Sequence, residues 1–157
     1  MSNEMFLYEL ITNKALIIPA SAWFIAQLLK VFVVLAREKR LDWWFLVRSG
    51  GMPSSHTALV CALAAAVAMM QGVGSVAFGI TAILAMVVMY DAAGVRQAVG
   101  RQSVILNRIV KELLDKRPRD EVERDLREFI GHTQFQVIAG AAVGIFVAWL
   151  WLTVSGV

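Results

Sequence analysis

The segment Ser49-Gly50-Gly51-Met52-Pro53-Ser54-Ser55-His56 holds the densest group of chemically useful residues in the chain. Two glycines and a proline make a turn. Serine is a favoured helix cap and proline is favoured early in a helix, so the segment reads as a turn running into a helix start. Backbone N–H groups at such a start point at whatever lies above them, and the helix dipole favours an anion there. Ser54 and Ser55 add hydroxyl donors, and His56 can give or take a proton near neutral pH. A plain capped helix would use the same residues, so both readings stand on this segment alone.

The chain has two histidines. The second, His132, follows Gly131 and opens the last apolar run. Gln136, four residues on, falls on the same helical face. Its side-chain acceptor can hold one ring nitrogen and leave the other free. Lys30 is a cation inside an apolar run, which is costly in a membrane and is read as functional by default; the alternative is that it snorkels to the interface. Arg37 lies seven residues later, two helical turns on and on the same face, so the two can meet one anion. Asp91 and Arg96 close the third apolar run in Tyr90-Asp91-Ala92-Ala93-Gly94-Val95-Arg96, and Asp91 can equally serve as a local ion-pair partner. No Cys/His cluster has metal-ligand spacing. Two histidines, several cations and an anion-favouring helix start suit a phosphate monoester, whose transfer is largely positioning and electrostatic stabilisation. One histidine can attack phosphorus while the other protonates the leaving oxygen.

These residues have to be held at one level, and the apolar runs supply the means. The chain is 59% hydrophobic, with a mean hydropathy of +0.66, above the roughly 45–50% apolar content of soluble domains. A membrane-spanning helix needs about 20 mostly apolar residues. Four runs are expected to span, at about 16–36, 54–72, 73–90 and 135–154. The second is short unless Pro53 to His56 dip into the membrane. Gln71-Gly72-Val73-Gly74-Ser75 makes a tight uncharged turn between the second and third. Residues 1–13, with Met5, Phe6, Leu7, Leu10 and Ile11, suit an interfacial helix. The fold class is therefore an all-α membrane protein, one domain over 1–157, with four spans.

Charge fixes the expected orientation. Every basic residue except Lys14 and Lys30 falls in two segments, 37–48 and 96–127, which four spans place at one face. The positive-inside rule puts that face, and the site with it, in the cytoplasm and both termini outside, as in a bacterial inner membrane. In the long loop 91–133, Leu106, Ile109, Val110 and Leu113 recur at helical spacing. Lys111–Asp115 and Glu112–Lys116 make pairs four apart, so an amphipathic surface helix is expected. Trp43 and Trp44 in the first loop, and Trp149 and Trp151 in the last run, read as interface anchors. The first run is read as a retained helix rather than a cleaved leader. The lone Cys61 says nothing of redox compartment. No base-reading motif appears, so nucleic acid is not an expected partner. Ala58, Ala62, Ala65 and Ala66, with Gly140 and Gly144, permit close helix contact. They are read as internal packing; a seam between two copies is the alternative.

With these strings in view, the chain resembles the type 2 phosphatidic acid phosphatases, which share a core with vanadium haloperoxidases. Lys30 and Arg37 match the spacing of that family's first motif, with Glu38 in place of its proline. Pro53-Ser54-Ser55-His56 matches its Pro-Ser-Gly-His motif except at Ser55. His132 holds the histidine of its third motif, with Leu126 at the arginine position and Gln136 at the aspartate position. From about Gln27 to Gly144 the chain is more similar to a divergent, short branch. The landmarks are Gly-Gly-Met-Pro-Ser-Ser-His, Tyr-Asp-Ala-x-Gly-Val-Arg and Gly-His-Thr. That branch usually has a carboxylate where Gln136 stands. The resemblance implies His132 as a nucleophile forming a phosphohistidine and His56 as general acid. Lys30, Arg37, Ser54, Ser55 and Arg96 would hold phosphate oxygens, and Gln136 and Asp91 would support them. It implies a lipid phosphate in the bilayer as substrate, and no metal or other cofactor. Membrane relatives often present the site to the outside, opposite to the charge reading here. The other reading is a non-catalytic binder or carrier of a phospholipid or polyprenyl phosphate, favoured by Leu126 and Gln136. A third is a structural bundle, in which four spans, few to enclose a lipid, are completed as a homodimer.

Overall fold

The computed structural model describes residues 3–38, 51–95, 102, 105, 106 and 134–156. All regular structure among them is helical. Helix α1 covers Asn3–Thr12 and α2 covers Lys14–Glu38. Helix α3 covers Ser55–Gln71 and α4 covers Val76–Tyr90. A turn of π-helix at Asp91–Val95 extends α4, and α5 covers Gln134–Val154. This is an all-α membrane protein. Three stretches, Lys14–Ala36, Val76–Gly94 and Gln134–Val154, are long and apolar enough to cross a bilayer. Helix α3 is apolar but shorter, 17 residues or roughly 25 Å at 1.5 Å per residue.

The boundaries follow local chemistry. Asn13 separates α1 from α2: its side-chain oxygen accepts from Ala15 N–H at 2.9 Å, and its carbonyl accepts from Leu16 and Ile17. Ser54 caps α3, and Gly72 ends it with φ +82°, donating its N–H to Ala68. Ser75 then caps α4, accepting from Phe78 N–H at 3.1 Å and donating to Gly72 O at 2.8 Å. The third expected span, α4, thus begins at Val76, later than the expected 73, because Val73 and Gly74 belong to the turn.

Helix α3 is the centre of the bundle and packs on α2, α4 and α5. Ile18 and Ala22 of α2 meet Ala62 and Ala66 of α3 and Val147, Ala148 and Leu152 of α5 in one apolar cluster. Val60 and Cys61 meet Ala85 of α4 in another. Lys30, later in α2, lies instead against Ser55 at the start of α3, so α2 and α3 run antiparallel. Gly140 and Gly144 of α5 meet Ser54 and Ala58 of α3 in the same order along the chain, so α3 and α5 run parallel.

That parallel contact is close. A Cβ on Gly140 would collide with the backbone carbonyl of Ser54, and one on Gly144 with that of Ala58. The glycine pair serves internal packing. The outward faces carry large apolar side chains, among them Phe24, Phe32, Ile80, Ile83, Phe135, Ile138 and Phe146, all exposed. Such a surface suits lipid rather than water. Helix α1 has no buried residue, and Phe6, Leu7, Tyr8 and Ile11 are among its exposed side chains.

The first loop with Trp43 and Trp44, and most of the long loop, lie outside the described residues. Of the expected surface helix only Leu106 is described; it is helical and exposed, as is Ile105.

Candidate functional site

The starts of α3 and α5 lie side by side. The N–H of Ser54 donates to the carbonyl of Gln136 at 3.0 Å, which ties the turn before α3 to the first turn of α5. Two parallel helices therefore present their N-terminal ends together, and both ends carry partial positive charge. The preceding turn requires its glycine at one point: Gly51 has φ +85°, a left-handed value that side chains oppose. Gly51 also lies over the aliphatic stem of Lys30, with a notional Cβ at 3.8 Å from Cδ. The Met52–Pro53 peptide bond is cis.

Lys30 reaches this corner from α2. Its Nζ donates to Ser55 Oγ at 3.0 Å, and the residue is 1% exposed. The side chain is thus turned into the bundle toward α3 rather than left on the outer face of α2. Its recorded partner among the described residues is the Ser55 hydroxyl. An ammonium has three protons to donate, and burying a charge is costly without pairing. The corner thus holds a buried ammonium that directs one of its three protons to Ser55.

Ser54, Ser55 and Thr57 are buried beside it. The hydroxyl of Ser54 accepts from Thr57 N–H at 3.4 Å and from Thr57 Oγ1 at 3.0 Å. His56, between them in sequence, is exposed in the first turn of α3. Gln136 is half-buried in the first turn of α5. Asp91 is half-buried where α4 passes into its π turn, and that turn also packs on α5.

Of the residues singled out in the sequence, the structure brings Lys30, Ser54, Ser55 and the backbone of Gln136 together. Arg37 lies in the last turns of α2, but its side chain is outside the described residues, as are Arg96 and His132 altogether. His132 precedes by two residues the helix whose start is held at Ser54. Thr57 was missed. Its signal is its place three residues after a capping serine, which also reads as ordinary capping. Cys61 is buried with Sγ 3.8 Å from Met89 Sδ, away from this corner. Among the described residues no three His, Cys, Asp or Glu side chains group as metal ligands do.

The sequence that builds this corner falls within a stretch that matches known proteins. Residues 11–147 match the divergent PAP2 family, and the chain belongs to that family. It is also similar to the uncharacterized membrane protein YuiD of Bacillus subtilis (strain 168). The two are 37% identical over 148 residues, 88% of this chain and 94% of that one. No solved structure matches the chain.

Proposed function

We propose that this integral membrane protein hydrolyses a lipid phosphate monoester without a metal, through a phosphohistidine. The observation that carries the reading is Lys30: a buried ammonium hydrogen-bonded to the Ser55 hydroxyl, where the starts of α3 and α5 meet. A dianionic phosphate supplies countercharge to the ammonium and accepts from the donors around it. Lys30, Ser54 and Ser55 hold phosphate oxygens, and Arg37 and Arg96 complete the cationic shell.

In the first step a ring nitrogen of His132 attacks phosphorus. The N–P bond forms as the P–O bond to the lipid breaks, and His56 gives its proton to the departing lipid oxygen. In the second, water attacks the phosphohistidine and His56 takes the proton back. Inorganic phosphate leaves and both histidines return to their starting state. Gln136 holds the His132 ring in one orientation; Asp91 supports the cations at the end of α4. The lipid chain stays in the bilayer, and the site opens to the cytoplasm.

The test is phosphate release by purified protein from a panel of lipid phosphates in detergent. Release is expected from at least one lipid and is expected to vanish in His132→Ala and His56→Ala. Lys30→Met should abolish both release and binding of inorganic phosphate. Absence of release from every lipid, with phosphate still bound and lost in Lys30→Met, overturns hydrolysis and leaves a carrier. That second reading is favoured by Gln136, a neutral amide that stabilises an imidazolium less than a carboxylate does.

A further inference from the structure

Serine hydroxyls are ambivalent: each has one proton to donate and two lone pairs that accept. A hydroxyl that faces an anion is useful only when it donates. In this corner the ambivalence of Ser54 is removed by a neighbour. Thr57 directs both its backbone N–H, at 3.4 Å, and its hydroxyl, at 3.0 Å, to the Ser54 oxygen. With both lone pairs engaged, Ser54 has only its proton left to offer. Thr57 is itself fully buried, so no solvent competes for its hydroxyl. It is also held in place from α5: a notional Cβ on Gly140 lies 3.1 Å from Thr57 Cβ, closer than ordinary packing allows. The glycine at 140 thus leaves room for the threonine.

From this we infer that Thr57 is a positioning residue for anion binding, fixing Ser54 as a hydrogen-bond donor to the phosphate without touching it. The inference rests on the phosphate reading of the site. The relay runs from Thr57 O–H to Ser54 Oγ, and from Ser54 O–H to a phosphate oxygen. Hydroxyls linked in this way polarise one another, so the terminal donor is strengthened. Ser55 has a different arrangement: its oxygen accepts from the Lys30 ammonium, which occupies one of its two lone pairs. Two adjacent serines therefore accept from different neighbours, Ser55 from α2 and Ser54 from within α3, and only Ser54 has both lone pairs engaged.

The experiment measures inorganic phosphate binding to purified full-length protein in detergent, by titration calorimetry. Thr57→Val keeps the shape and removes the hydroxyl; it is expected to weaken phosphate binding roughly two- to tenfold, the range for one net hydrogen bond. Thr57→Ser restores the hydroxyl and is expected to bind as the unaltered protein does. In the Ser54→Ala background, Thr57→Val should have no further effect, because the threonine acts only through that serine. A purely structural cap would lower the melting temperature in Thr57→Val and leave the phosphate affinity of the folded fraction unchanged. That result overturns the inference while the phosphate site stands. Equal losses in both backgrounds also overturn it, since Thr57 would then act by another route. If Thr57→Val does not fold, Thr57→Ala in both backgrounds gives the same comparison. No phosphate binding by the unaltered protein overturns the site reading and this inference together.

Discussion

Lys30 and Ser55 are 25 positions apart and meet as a buried pair at 3.0 Å. Their types were visible in the sequence, and an intramembrane lysine near a Ser-Ser-His string already suggests an anion. Their contact was not visible, because it depends on how α2 packs against α3. The same holds for Ser54 and Gln136, joined through the backbone at 3.0 Å; a main-chain bond leaves no mark on residue type. Gln136 is where the catalytic reading is most exposed to test. Replacing it by glutamate adds a negative charge beside His132 in the proposed mechanism, which stabilises the imidazolium and raises basicity. Gln136→Glu is expected to raise the rate of phosphate release, on the order of tenfold for about 1.4 kcal/mol of added stabilisation. Single-turnover assays with a lipid phosphate would read it. A change in lipid affinity with no turnover at any concentration would favour the carrier.

Among the elements, α3 is the one whose composition is set by its position. Packed by helices α2, α4 and α5, it is built largely of alanine and other small side chains, and Ala58, Ala62 and Ala66 are completely buried. Small residues let backbones approach closely, which is the main source of packing energy where lipid replaces water. Gly144 shows how close: an added methyl there meets the Ala58 carbonyl. Gly144→Ala is expected to destabilise the bundle by about 1–3 kcal/mol, and to weaken phosphate binding, because it pushes the starts of α3 and α5 apart. Gly79 in α4 provides the contrast. Nothing lies within 4 Å of its notional Cβ, so Gly79→Ala should be neutral or gain up to about 1 kcal/mol from helix propensity. Thermal unfolding in detergent compares the two. The apolar runs made these helices legible to within a few residues. The π turn at Asp91–Val95 was not, since one extra residue in a helical turn has no compositional signature. Nor was the parallel course of α3 and α5 stated by any local motif, although Gly140 and Gly144 marked where a close contact would fall.

At the scale of the molecule, the described helices form a bundle whose outer surface carries many exposed apolar side chains. Its glycine pair is occupied by contact within the chain, so a seam between two copies would need another surface. The uneven distribution of basic residues gives the proposed orientation, with the site in the cytoplasm. It can be read by labelling single cysteines with a membrane-impermeant maleimide in intact cells. Cys61 is buried and contributes little background. Gly156→Cys is expected to label in intact cells and Arg119→Cys only after permeabilisation. The reverse pattern would place the site outside and require phosphate release there.

The burial of Lys30 also bears on how the protein is made. Synthesis runs from the N-terminus, so α2 reaches the bilayer before α3 does. A lysine within a span raises the cost of insertion by about 2.5–3.5 kcal/mol at the helix centre. Lys30 lies some two turns from the end of α2, near enough for its stem to carry the ammonium to the headgroups for the interval. The bond to Ser55 requires α3 to be in place. The step that joins the first two helices is then the same step that charges the pocket, and a chain halted before α3 holds its lysine at the interface.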